Sequence, residues 1–399
     1  MTHTTPSSGR VFSIDIMRGI TLCLMLFVND LFEPGVPAWM VHTKAETDGM
    51  GLADWVFPGF LFMAGLSIPY AMAARKKKGD SSFKLLLHVL FRSASLLIIG
   101  ILMLNGSRVN EALTGMPELL WKVLMYMGVF LVWNAYPRKK GLRPLFVVLQ
   151  LLGLTLLIYL VFIFKAGSPE DVRWLETGWW GILGLIGWGY LTAALVYLLI
   201  ADRLSFAVLS WMLFVILNML SQAGIFHIGG LAGRILGVVL NGNVPSIVLA
   251  GLTIGILIKQ QKEQKNQLLK WLILTGTLSL IGGFVLRNWF IISKIYGTPS
   301  WAMLCNSISI LLFTLVYYCT DILNKVKWAW LFNIAGRNSL TTYLAPDLIY
   351  FACWGWSIPL FFYKQNQSMI LAVGGSVAWT IVMVLLAHAL SRIYIKLKL

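Results

Sequence analysis

Asp15 and Arg18 stand three residues apart inside an otherwise apolar stretch. On a helix that spacing puts both on one face, close enough to pair. An ionisable group in a membrane-length apolar run is costly, so it marks a functional candidate by default. Asn29 follows Asp15 by a number of residues that returns to nearly the same face, roughly 21 Å further along the axis. One helix face would thus carry polar groups near both ends, although a buried ion pair and a capping amide would explain the same residues. His42 sits in the polar stretch that follows. An imidazole takes and returns protons near neutral pH, and the carboxylate of Asp54 can orient the ring or stabilise its cation. A loop histidine can equally be only solvated.

Other polar residues recur late in the chain: Arg287, Asn288, Lys294, Asn306, Tyr343 and Asp347. The step Gly336-Arg337-Asn338-Ser339 precedes an apolar run and reads as a helix start with capping side chains. A helix N-terminus beside Arg337 would suit a phosphate, and an ordinary N-cap is the plainer alternative. The sequence has no Gly-rich phosphate loop, no His/Cys metal cluster and no HExxH or GxSxG motif, so no metal is expected. Cys23, Cys305, Cys319 and Cys353 lie in apolar runs without a CxxC pair and read as small hydrophobes. Of the other histidines, His3 is in the N-terminal tail and His88 lies near Arg92.

The elements that must position these groups are set by the solvent. Of 399 residues, 58% are hydrophobic and only 12% are charged, about half the ~25% of a soluble domain. Too few charges remain to coat a water-facing surface, and lipid becomes the main solvent. A bilayer-spanning helix needs about 20 apolar residues, and about twelve runs meet that criterion. They cover 11–32, 54–74, 85–104, 119–136, 144–165, 179–200, 204–222, 243–259, 268–290, 301–322, 329–352 and 368–391. The net charge of +16 is concentrated after even-numbered runs, at 75–78, 138–143, 259–270, 325–327 and 396–398. Glu33, Glu46, Asp48, Glu170, Asp171 and Glu176 lie in the alternate loops. This is the pattern of topology rather than of nucleic-acid binding, and the positive-inside rule puts both termini in the cytoplasm with 33–53 outside. Tryptophans near the run ends form an interfacial belt. Residues 1–10 are polar and lack a signal-peptide layout. The expectation is a single all-α domain, a polytopic helical bundle over 1–399, in the inner (cytoplasmic) membrane.

Ser13-Ile14-Asp15-Ile16-Met17-Arg18-Gly19-Ile20, then Val28-Asn29, His42 and Ala53-Asp54-Trp55-Val56-Phe57-Pro58-Gly59-Phe60-Leu61-Phe62, resemble the heparan-alpha-glucosaminide N-acetyltransferase family and its bacterial relatives. Thr298-Pro299-Ser300-Trp301 and Gly336-Arg337-Asn338-Ser339-Leu340-Thr341-Thr342-Tyr343 are similar too, and Met127-Gly128 more weakly. The resemblance implies acetyl transfer from cytoplasmic acetyl-CoA to an amino-sugar or glycan acceptor across the bilayer. His42 matches the family's essential outer-face histidine, acting as a base or becoming acetylated, and Asn29 matches the amide near the acetyl end of CoA. Asp15, Arg18, Lys294, Arg337, Asn338 and Ser339 are the further donor-binding candidates. Two departures stand out. The stretch Thr43-Lys44-Ala45-Glu46-Thr47-Asp48-Gly49 is longer and more acidic than in relatives, which points to a different acceptor. The runs across 179–222 look like an added pair, because about ten spans are expected in the family. A homo-oligomer is compatible with this reading. A solute transporter, or an O-acyltransferase of a cell-envelope polymer, would share the same composition.

Overall fold

The computed structural model describes residues 11–137 and 140–399. The N-terminal tail with His3, and the basic residues Arg138 and Lys139, lie outside the described residues. The first six helices are α1 (Phe12–Asp30), α2 (Leu52–Lys76), α3 (Ser82–Gly106), the single turn α4 (Glu111–Thr114), α5 (Glu118–Trp133) and α6 (Arg143–Ile163). A two-stranded hairpin, Ala166–Ser168 against Asp171–Arg173, separates α6 from α7 (Gly181–Ile200). Then come α8 (Leu204–Gln222), α9 (Gly230–Leu240), α10 (Asn243–Gln260), α11 (Lys265–Leu286) and α12 (Pro299–Tyr317). The chain ends with α13 (Trp330–Arg337), α14 (Ser339–Gly355) and α15 (Met369–Arg392).

Among the described residues, ten helical segments are long and apolar enough to cross a membrane. The runs at 119–136 and 329–352 yield shorter helices, α5 with 16 residues and α14 with 17. The second of these runs is broken rather than continuous. Asn338 leaves helical geometry (φ −121°, ψ 30°), and its side chain makes no capping hydrogen bond. The expected capping side chain is therefore absent. Just before the break, α13 packs closely on α1, since a Cβ on Gly336 would lie 2.3 Å from the Asp15 carbonyl oxygen.

Small residues let the central helices meet backbone to backbone, the usual means of association where lipid removes the hydrophobic drive. A Cβ on Gly65 of α2 would lie 1.9 Å from the Val248 carbonyl oxygen of α10, and one on Gly251 would lie 1.9 Å from that of Phe62. Helix α10 is buried continuously from Asn243 to Ile258 and forms the centre of the bundle. By contrast, α6, α8, α11 and α15 leave most of their apolar surface outward, as lipid-facing helices do. The start of α1 is held from across the fold. The amides of Phe12 and Ser13 donate to the Asp321 carboxylate, each at 2.9 Å, and satisfy the orphan N–H groups of the first turn. Helix α1 thus has a fixed origin, and its far end delivers the chain to His42.

Candidate functional site

At that far end, two loops interlock. His42 lies between α1 and α2, and its Nδ1 is 2.7 Å from Oδ1 of Asp54. Asp54 is only 1% exposed. Its other oxygen accepts the backbone N–H groups of Gly51 (2.9 Å) and Thr43 (3.0 Å). The Gly51 contact satisfies a first-turn donor of α2, so the same carboxylate caps a helix and orients an imidazole. With Nδ1 donating to Asp54, Nε2 is the ring's acceptor.

Lys294 completes the cluster, its Nζ lying 3.1 Å from Nδ1 and 3.2 Å from Nε2 of His42. Burial pushes the Lys294 amine below the usual lysine range, and the charge of Asp54 works in the opposite direction. Lys294 reaches the ring because its loop is pinned. Asp48 accepts from Ile292 N–H and Arg287 Nε, both at 2.8 Å. The Ser293 hydroxyl donates to the Ala45 carbonyl at 2.8 Å, and Tyr296 reaches Glu46 at 3.3 Å. The acidic character of 43–49 is therefore spent on holding this loop. The Ile292 amide, then Arg287, keeps the Asp48 carboxyl below its ordinary value.

The other end of α1 opens into two broad cavities, about 530 and 820 Å³, which share Arg18, Phe60, Arg92, Ile186 and Ser339 in their walls. Asp15, Lys77 and Tyr190 line the larger, while Arg337, Lys396 and Lys398 line the smaller. Arg18 is held by Asp15 at 3.3 Å and by the Ser67 hydroxyl at 2.6 Å. Arg92 lies over the Tyr190 ring at 4.7 Å, and its buried Nε has no hydrogen-bond partner. Burial, with the charges of Lys398 and Arg337, lowers the Lys396 amine. Convergent cations that repel one another, with an unused guanidinium donor, fit a polyanion.

Along α1 the cavity walls take Asp15, Arg18, Leu22, Met25, Leu26 and Asn29 in turn. This is the face expected from the spacing, polar at both ends and apolar between them. Asn29 lines a third, small cavity of about 100 Å³ with Asp30, Tyr343 and Asp347, and Tyr343 also lines the 530 Å³ cavity. His42 lines none of these three cavities.

The sequence candidates thus separate into groups. His42, Asp54 and Lys294 meet, so Lys294 lies beside the histidine and lines none of the three cavities. Asp15, Arg18, Arg337 and Ser339 gather at the basic end. Asn338 is buried and lines none of the three. Arg92, Lys396 and Lys398 were missed as site residues. The terminal lysines read as topology, and it is backbone pairing with Trp133–Ala135, with the Leu397 amide donating to Thr341 Oγ1, that folds them back over the cavity. Helix α7 supplies Ile186 to both basic cavities, so the first helix of the suspected added pair is part of the wall.

The sequence model of a family described as a domain of unknown function, DUF5009, matches residues 10–227. The chain belongs to that family. This DUF5009 protein is also similar to two curated relatives, both named heparan-alpha-glucosaminide N-acetyltransferase. The Homo sapiens protein is 41% identical over 96 residues, 24% of this chain and 14% of that protein. The Mus musculus protein is 31% identical over 140 residues, 33% of this chain and 21% of that protein. The matched stretches span about a fifth or less of those relatives' length. The resemblance expected from the motifs is borne out over part of the chain.

Proposed function

We propose that this DUF5009 protein is a membrane-bound acyltransferase that takes an acetyl group from cytoplasmic acetyl-CoA and places it on an amino-sugar or glycan acceptor at the outer face. The observation that carries this reading is one helix face that lines a basic cavity at its start and leads at its end to an imidazole held by a buried carboxylate. Partial similarity to proteins named as N-acetyltransferases supports the same class. In this reading α5 and α14 complete twelve crossings, with both termini cytoplasmic and the protein in the inner membrane.

Arg18, Arg92, Arg337, Lys396 and Lys398 would hold the phosphates, and the apolar middle of the α1 face would accompany the pantetheine arm toward Asn29. His42, its Nδ1 proton on Asp54, would accept a proton at Nε2 from the acceptor amine. The amine nitrogen then bonds to the acetyl carbon, the carbon–sulfur bond breaks, and the CoA sulfur takes up a proton. Lys294 sits where such an amine would approach Nε2, so the acceptor would displace it from the ring. The hydroxyl-transfer alternative differs only in product, ester instead of amide.

Purified protein is expected to bind acetyl-CoA and to release CoA only with acceptor present. His42→Ala is expected to lower transfer by about 10²–10⁴-fold, the usual contribution of general acid–base catalysis, with acetyl-CoA affinity and thermal midpoint unchanged. Full activity in that variant would remove His42 from the mechanism. Solute uptake by vesicles without any acyl-CoA would replace the reading with transport.

A further inference from the structure

The loop that carries Lys294 is held from a second side. Lys294 to Gly297 form a tight turn, closed by the Gly297 N–H donating to the Lys294 carbonyl at 3.0 Å. Gly297 ends the turn at φ 63°, a conformation that suits glycine. Side-chain amides from two helices converge on this turn. Asn218 of α8 and Asn243 of α10 both donate to the Gly297 carbonyl, at 3.1 and 2.7 Å. Gln222, one turn further along α8, donates to the Tyr296 carbonyl at 2.7 Å. Asn218 and Asn243 are both buried. The Asn218 amide also donates to the Asn241 carbonyl at 3.0 Å, and Asn241 Oδ1 accepts the Asn243 N–H at 3.1 Å, which fixes the amides relative to each other. The Oδ1 of Asn218 has no hydrogen-bond partner, so this side chain serves through its N–H donors. A buried donor that loses its acceptor costs free energy, so the arrangement resists displacement of the turn.

We propose that Asn218 and Asn243, with Gln222 at the rim, are positioning residues of the His42 site: by fixing the end of the turn they fix Lys294, its first residue, against the imidazole. The chain of contacts is short. The amides hold the Gly297 carbonyl, the Gly297 N–H holds the Lys294 carbonyl, and Lys294 Nζ stands 3.1 Å from the ring. The contacts from the 43–49 stretch act on the other flank. Asp48 and Ala45 take Ile292 and Ser293, before Lys294, whereas the amides take Tyr296 and Gly297, after it. Lys294 is thereby anchored on both sides. Helix α8 leaves most of its apolar surface outward, and its buried asparagine is turned to this loop. The second helix of the suspected added pair thus gains a part in the site. The consequence for catalysis rests on the acyltransferase reading, whereas the placement of Lys294 does not.

The test reads Lys294 itself. The full chain in detergent, without acyl-CoA, is treated with N-acetoxysuccinimide across a pH series, and modification of Lys294 is quantified by mass spectrometry. Burial holds this amine below the usual lysine range, so its modification is expected to turn on at lower pH than that of the exposed Lys44. Asn218→Leu and Asn243→Leu remove the donors and are each expected to raise the Lys294 midpoint by about one pH unit, as the amine leaves its buried place. His42, Asp54 and Cys305, the titratable groups around Lys294, are retained in both variants. Gln222→Ala is expected to give a smaller shift in the same direction, and it reads the same anchoring where a leucine variant fails to fold. Val215→Ala, buried on α8 one turn before Asn218, is expected to lower the thermal midpoint and leave the Lys294 midpoint in place. An unmoved Lys294 midpoint in every folded amide variant would overturn the positioning role, as would an equal shift in Val215→Ala. In the transfer assay the asparagine variants are expected to move the alkaline side of the pH–rate profile upward, with acetyl-CoA affinity unchanged. If the wild-type protein transfers no acetyl group under any condition while the labelling midpoints shift as expected, the acyltransferase reading fails and the positioning assignment stands.

Discussion

At the scale of single residues, Lys294 is the least expected part of the cluster. Its Nζ lies 3.1 Å from the imidazole, and the charge it carries there is its own titrating group. Because burial lowers the Lys294 amine, this charge is lost at lower pH than for an exposed lysine, whose pKa is about 10.4. Lys294→Met is therefore expected to remove an alkaline-side inflection from the pH–rate profile. Lys294→Arg, which keeps its cation to higher pH, should move that inflection upward. Unchanged profiles in both variants would reduce Lys294 to a packing role. Neither local sequence nor periodicity links this pair, since 252 positions separate them. The His42–Asp54 contact was legible because both residues flank the start of one helix. Asp30 was not, because its partners Tyr350, Tyr363 and Lys364 arrive from the other end of the chain.

At the scale of elements, the helices follow from composition, while their close approaches and loop contacts do not. Apolar length alone locates each run. The interruption at Asn338 is one the Gly336-Arg337-Asn338-Ser339 step signals, and what no linear pattern encodes is the close approach of Gly336 to α1. The loop clamp at Asp48 is a similar case, because its carboxylate binds Ile292 and Arg287, far away in the sequence. Its folded carboxyl titrates below the ordinary value, which is about 3.9 when unfolded. The clamp's contribution is therefore complete above that pH and is lost as pH falls through the lower folded value. Asp48→Ala is expected to free the 287–298 loop and lower kcat, with acetyl-CoA affinity unchanged, and proteolysis at this loop should accelerate at neutral pH. Between helices, Gly251→Ala would force α10 away from Phe62. Overpacking of that kind costs about 1–3 kcal/mol, read as a lower thermal midpoint in detergent.

At the scale of the whole molecule, the proposed function requires that the basic cavity and His42 face different compartments. Helix α1 joins the two, and its 19 residues extend roughly 28 Å at 1.5 Å per residue, close to the ~30 Å hydrocarbon thickness. On the proposed reading, the lysines flanking the even-numbered runs would put the basic end in the cytoplasm. Donor and acceptor would then arrive from opposite sides, with the apolar face of α1 between them. Cysteine scanning tests this arrangement directly. Cys23 and Cys305 are buried, while Cys319 and Cys353 are half-buried, so a background with the latter two replaced by serine is suitable. Lys44→Cys, in the exposed His42 loop, is expected to react with a membrane-impermeant maleimide in intact cells. Lys78→Cys, exposed after α2, should react only once the membrane is opened. The reverse pattern would put His42 on the cytoplasmic side, and the imidazole would then share a compartment with free acetyl-CoA. No transmembrane passage of the acyl group would be required, and the acceptor would have to be cytoplasmic.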